Sequence, residues 1–211
     1  MDWKPKVLVL DGLVASGKST VLEILGKTPN SIVVPEDENE FIGLLTQTEA
    51  LSDQEFTAHH FLVQITVMKS IVKALQEANT KITKNTELVI LERNVSSAEE
   101  VFAKLAVSDK RFLEKSKETL QYITDLIKKE VPKRMWPDML VVIAPKVEIV
   151  KERLHKRKKT GDDIYTIESL SNMKDLYDKY FAKFDKQKLM ITGELSPEDV
   201  ANTILKKIEL K

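Results

Sequence analysis

Residues 6–19 read Lys6-Val7-Leu8-Val9-Leu10-Asp11-Gly12-Leu13-Val14-Ala15-Ser16-Gly17-Lys18-Ser19. An apolar run, Val7–Leu10, leads directly into a glycine, four residues, and then Gly-Lys-Ser. This is the G-x-x-x-x-G-K-[ST] pattern of a phosphate-binding loop, with a strand before it and a helical pattern after it, as the motif requires. Backbone N–H groups running from Gly12 to Thr20 would surround a polyphosphate at a helix N-terminus. In that frame Lys18 reaches the β- and γ-phosphates, and Ser19 holds Mg²⁺. The implied ligands are ATP and Mg²⁺.

The rest of the chain repeats the strand–helix alternation. Four further apolar runs, Ser31–Val34, Leu88–Leu91, Met139–Ile143 and Lys188–Ile191, show little polar alternation. Strands covered on both faces of a parallel sheet have this composition. Helical spacing predicts helices over 18–25, 54–78, 95–105, 111–128, 147–158, 167–184 and 197–208. Phe61, Ile65, Met68, Val72 and Leu75 form the expected core stripe of the longest one. Ser196 before Pro197 is a cap followed by a first-turn proline. The prediction is α/β: a five-stranded parallel sheet with helices on both faces, as a single domain over 1–211.

Composition narrows the function. Lys plus Arg and Asp plus Glu each number 33 among 211 residues, so the formal net charge is zero. A general nucleic-acid binder would carry a basic excess, so no nucleic-acid partner is expected. With no cysteine, a disulfide framework, a thiolate metal site and a cysteine nucleophile are excluded. No apolar stretch is long enough to span a membrane, and the first residues show neither a signal-peptide core nor transit-peptide character. The expectation is a soluble, cytoplasmic protein.

In parallel α/β sheets, ligands bind outside the carboxyl ends of the strands. That rule selects the residues just beyond Leu10, Val34 and Leu91: the phosphate loop, then Pro35-Glu36-Asp37, then Glu92-Arg93-Asn94. Phosphoryl transfer needs such a set, with a metal, a carboxylate for the acceptor and cations for the moving group. Glu92 stands where a carboxylate would meet Mg²⁺. Its competing reading is an acid at a helix N-terminus. Glu36 competes with a solvated acidic run that includes Asp37, Glu38 and Glu40.

Lys151–Lys159 holds six Lys or Arg in nine residues. Arg153 and Arg157 are four apart and share a helix face, which suits a lid over the phosphates, spanning about 151–165. The paired His59 and His60 point about 100° apart on a helix and do not suit one metal site. His60 is instead expected to line a pocket. A nucleoside monophosphate kinase would need a cation for its acceptor phosphate, yet Glu36–Leu51 contains no Lys or Arg. A GTPase-type switch would carry N-K-x-D, which is missing. The acceptor is therefore expected to be a neutral hydroxyl.

The loop, Val33-Val34-Pro35-Glu36, Glu92-Arg93-Asn94-Val95-Ser96-Ser97-Ala98-Glu99-Glu100-Val101-Phe102 and Arg153-Leu154-His155-Lys156-Arg157 occur in the order seen in the deoxyribonucleoside kinases. The chain resembles that family over nearly its whole length. The resemblance implies a kinase fold with a helical lid, and ATP-dependent phosphorylation of a nucleoside 5′-hydroxyl. It also implies a homodimer. Glu36 matches the base that takes the hydroxyl proton, and Arg93 the arginine beside it. Ser19 and Glu92 match Mg²⁺-linked positions, and Arg153 and Arg157 match lid arginines on the donor. Asp162 or Asp163 matches the lid acid that meets the sugar 3′-hydroxyl. His60, or Gln64 one turn later, matches the base-reading glutamine. Ala98 is a small residue where thymidine-accepting members have one, so a pyrimidine deoxynucleoside such as thymidine is implied. Asp37 and Phe41 replace a proline and a tryptophan, Glu49 stands near a missing tyrosine, and Asn94 replaces a serine. The acceptor side thus departs further from the family pattern than the phosphate side.

Overall fold

The computed structural model describes residues 4–37, 44, 50–159 and 161–208. Five strands, β1 (Lys6–Gly12), β2 (Ser31–Val34), β3 (Leu88–Glu92), β4 (Met139–Ile143) and β5 (Gln187–Ile191), form one sheet in the order β2-β3-β1-β4-β5. All four pairings are parallel. β1 lies at the centre, with Leu10 opposite Glu92 on β3 and Gly12 opposite Ile143 on β4.

The two-residue period of a strand divides the apolar runs between two cores. Val7, Val9, Val89, Leu91, Leu140 and Val142 face one layer of helices. Leu8, Leu10, Leu88, Ile90, Met139 and Val141 face the other. The second layer consists of α1 (Lys18–Leu25) and α8 (Pro197–Ile208), which supply Val21, Leu22, Leu25, Val200, Ala201 and Ile204. The first layer is larger and contains α2 (Asp53–Lys81), α5 (Lys117–Lys128), α6 (Val147–Arg157) and α7 (Ile167–Lys183). Helices therefore cover both faces, as predicted. Among the described residues, no helix is long and apolar enough to cross a membrane.

Local chemistry sets the helix ends. Ser52 and Glu55 form a reciprocal capping box that starts α2. On α2, Met68, Val72 and Leu75 are buried, while Phe61 and Ile65 are only partly buried against core clusters. The helix predicted from Arg111 starts later, as a 3₁₀ turn at Glu114–Ser116 that leads into α5. Asp109 is the reason: its carboxylate accepts from the Arg111 N–H at 2.9 Å, and its carbonyl accepts from the Phe112 N–H at 3.0 Å. That turn removes Arg111 and Phe112 from the helix.

The helix predicted over 95–105 is present but not uniform. α3 (Val95–Ser97) passes into a π-helical segment, Ala98–Ala103, and then into α4 (Lys104–Ser108). The Ala98 carbonyl accepts from the Gln64 side-chain amide of α2 at 2.9 Å. A π segment frees carbonyls from the i→i−4 ladder and is frequent at functional sites.

Candidate active site

The site begins with backbone that only glycine permits. Gly12 has φ +134°, and a Cβ there would lie 2.0 Å from the Ile143 carbonyl oxygen. The chain leaves β1 in that conformation and turns into the loop. Ala15 (φ +51°) and Gly17 (φ +97°) are also left-handed. Gly17 is the N-cap of α1 and contributes no side-chain cap. The first N–H groups of α1 are thus left to an anion.

Lys18 comes next, 6% exposed, its ammonium donating to the carbonyls of Gly12 at 3.3 Å and Leu13 at 2.8 Å. Burial, and then the nearby Arg93 charge, lower its pKa to about 8. A phosphate arriving here would restore a strong preference for the charged form. Ser19 Oγ donates to Glu92 Oε1 at 3.1 Å across the gap between loop and β3.

β3 delivers the next pair. Glu92 is its last residue, and Arg93 continues from it in a left-handed conformation, φ +64°. Its N–H donates to the Leu10 carbonyl at 3.1 Å, which holds this strained position against β1. The Arg93 Nε lies 3.2 Å from Glu36 Oε2, and Cζ sits 4.3 Å from the centre of the Phe102 ring. The Nε–Oε2 contact is an ion pair and is not aligned as a hydrogen bond. Burial works against the Arg93 charge, but Glu36, then Tyr177 and Asp11, outweigh it and raise its pKa. Arg93 therefore stays cationic at any working pH.

The segment expected to act as a lid starts with α6. Arg153 reaches the loop, its Nη1 donating to the Ser16 carbonyl at 3.2 Å. Arg157 donates through Nε to Asp162 Oδ2 at 3.0 Å and through Nη2 to Asp162 Oδ1. The Lys159 N–H donates to the same carboxylate at 2.9 Å. Burial raises the Asp162 pKa, but the Arg157 and Lys159 hydrogen bonds outweigh it and hold the pKa below the ordinary value.

These segments enclose a cavity of about 380 Å³. It is lined by the loop from Val14 to Thr20, by Glu36, Glu92 and Arg93, and by Arg153, Arg157, Lys159, Gly161, Asp162 and Tyr165. Gly12 and the buried Leu13 are not part of the lining. Asp163 lies outside the lining and on a second, open cavity beside α6. Gln64 and Ala98 are buried together away from the lining. His60 also lies outside the lining: its ring meets Phe56 at a 34° tilt with centroids 4.0 Å apart, and Nδ1 donates to the Phe56 carbonyl at 2.9 Å. Burial lowers the His60 pKa, so the ring is neutral near pH 7. Phe41, Glu38, Glu40 and Glu49 fall outside the described residues.

A glycine-containing loop, a buried carboxylate–guanidinium pair and a basic helix surround one cavity. The family model for deoxynucleoside kinases matches residues 8–209. The chain belongs to the deoxynucleoside kinase family. It is an ATP-dependent nucleoside kinase, and the match runs from β1 to the end of α8. No curated protein matches the chain.

Sequence reasoning missed several contacts around this deoxynucleoside kinase site. Asp11 is fully buried beneath the loop and bonded to Tyr177. Asn94 is bonded to Tyr180. Phe102 carries the Arg93 guanidinium on its face. Asp11 had a legible signal, because it is an acid at the end of an apolar strand, as Glu92 is. The tyrosines had none.

Proposed function

We propose that this kinase transfers the γ-phosphoryl group of ATP to the 5′-hydroxyl of a pyrimidine deoxynucleoside, with thymidine favoured. The observation that carries the reading is the Glu36–Arg93 pair, 3.2 Å apart and opening on the same cavity as the Lys18 loop. Glu36 accepts the 5′-hydroxyl proton as the oxygen attacks the γ-phosphorus and the bond to the β-phosphate oxygen breaks, leaving ADP. Arg93 holds the Glu36 carboxylate in place and faces the developing charge. Lys18, Arg153 and Arg157 spread that charge over the phosphates.

The Ser19 hydroxyl and Glu92 carboxylate fit Mg²⁺. Both are oxygen donors, and they lie 3.1 Å apart at the cavity. Mg²⁺ takes only one or two protein oxygens and keeps water and phosphate for the rest. When bound, it would neutralise phosphate charge. On the acceptor side, the preference for thymidine rests on the family resemblance at Ala98, a small residue where thymidine-accepting members have one, and not on the cavity lining. Asp162, once released by Arg157, is available for the sugar hydroxyl.

The test is ADP release with ATP and Mg²⁺ against thymidine, the other deoxynucleosides, the ribonucleosides and thymidine monophosphate. Turnover with thymidine ahead of the purine deoxynucleosides is expected. Turnover with the monophosphate alone would reject a hydroxyl acceptor.

A further inference from the structure

Among the described residues, Asp11 is a buried acid at this site with no part in the chemistry above. It stands between the last apolar residue of β1 and the first glycine of the loop, and it is fully buried. Oδ1 accepts from the Gly12 N–H at 2.9 Å and from the Tyr177 hydroxyl at 2.6 Å. Oδ2 is buried without a hydrogen-bond partner. Burying a carboxylate with one oxygen unsatisfied is costly, and such a group persists only beside compensating charge. The charge is there: Asp11 acts on both Lys18 and Arg93, favouring the cation in each case.

Tyr177 comes from α7, 166 residues further along the chain, and is itself fully buried. Burial, and then Asp11, push its pKa well up, so the phenol keeps its proton and donates it to Asp11. Its ring meets Phe102 edge-on, the residue on which the Arg93 guanidinium lies. One turn later on α7, the Tyr180 hydroxyl accepts from the Asn94 amide at 3.3 Å. Thus α7 places one hydroxyl on the residue before the phosphate loop and another on the residue after Arg93.

We propose that Tyr177 and Asp11 are a positioning pair for phosphoryl transfer. The Tyr177 hydroxyl orients Asp11, whose Oδ1 fixes the first loop amide while its carboxylate favours the cationic forms of Lys18 and Arg93. Neither residue touches substrate. The pair acts on the angle of the loop and on the placement of the two cations, and it rests on the assignment of Lys18 and Arg93 as the groups that meet the reacting phosphate.

Tyr177→Phe removes the donor and keeps the ring. A hydrogen bond to a charged group corresponds to roughly tenfold or more in an equilibrium or a rate. The expected result is a fall in kcat of about tenfold, with the KM for the preferred deoxynucleoside within about twofold of wild type. A purely structural role would lower the melting temperature and leave kcat per folded molecule unchanged. That outcome overturns the proposal. In an Asp11→Ala background, Tyr177→Phe should produce no further loss, because its route to the site is gone. Losses that multiply would mean that Tyr177 does not act through Asp11, and would also overturn it. If Tyr177→Phe does not fold, Asp11→Asn alone decides: a lower kcat at unchanged KM supports the pair, and an unchanged kcat rejects it. The wild-type panel comes first. A wild type that phosphorylates no deoxynucleoside defeats the functional reading, whereas an active wild type with a fully active Tyr177→Phe defeats only this inference.

Discussion

Glu36→Gln tests the assignment of the base with the least disturbance to the site. The carboxylate is 5% exposed and its Arg93 partner 11%, so the pair is shielded from solvent. Removing a general base typically costs about 10²–10⁴ in rate. At about 1.36 kcal/mol per tenfold, that is roughly 3–5 kcal/mol on the barrier. Stability must be separated from this effect, because stranding one partner of a buried ion pair costs about 3–5 kcal/mol. Here the cost falls below that range. The substituted amide would keep an oxygen within reach of Arg93 Nε, the Phe102 face would still hold the guanidinium, and Asp11 would still balance its charge. Arg93 would remain charged, because a guanidinium keeps its proton at any working pH and Asp11 still favours its cation. The assay is steady-state ADP release at saturating ATP and nucleoside, with folded fraction read by near-ultraviolet circular dichroism on the same sample. The expected kcat is lower by about a hundredfold or more, with nucleoside KM little changed. A kcat within about threefold of wild type would remove Glu36 as the base and refute the reasoning from its burial and pairing.

Gly12→Ala would force a left-handed φ on alanine and drive its Cβ into the Ile143 carbonyl, 2.0 Å away. Strain and overpacking together cost roughly 2–6 kcal/mol, so the urea midpoint should fall sharply, and a wild-type unfolding curve would contradict the geometry. Gln64→Leu leaves the buried Ala98 carbonyl without its 2.9 Å donor and should cost about 1–3 kcal/mol in the same unfolding measurement; no loss would mean that the π segment satisfies itself. Lys18, with its pKa lowered to about 8, sheds its proton above that pH in the free enzyme and regains it when phosphate binds. Calorimetry of ATP binding without divalent cation, in buffers of different ionisation enthalpy, should therefore show proton uptake that appears as the pH rises through about 8 and is missing in Lys18→Met. Uptake in the variant would assign the proton to another group.

Most of the framework was readable because its signals are local. The apolar runs marked all five strands to within two residues, and the loop pattern located the edge on which Glu36, Glu92 and Arg93 meet. Contacts made across the chain were not readable. Nothing near Asp11 announces a tyrosine 166 residues away, and nothing near Arg93 announces that it lies on Phe102. His60 and Gln64 sit one turn apart on the same face of α2, so spacing alone could not separate them. Packing does, since Phe56 takes the imidazole while Ala98 takes the amide. The π segment at Ala98–Ala103 was equally hidden, because apolar spacing over so few residues fits α and π turns alike. On α6, sharing a helix face suggested that Arg153 and Arg157 act together, yet Arg153 bonds to the loop carbonyls while Arg157 is engaged by Asp162.

The strand order also has a consequence for how the chain is made. β1 is synthesised before its neighbours but pairs with β3 and β4, which emerge only after long intervening helices. Until then a wholly apolar segment, Val7–Leu10, without proline or charge, has both edges open. Such a segment is a template for pairing with another nascent copy, and parallel pairings between distant strands form slowly. Refolding from denaturant should therefore give yields that fall as protein concentration rises, with the losses caused by the strand that carries the phosphate loop.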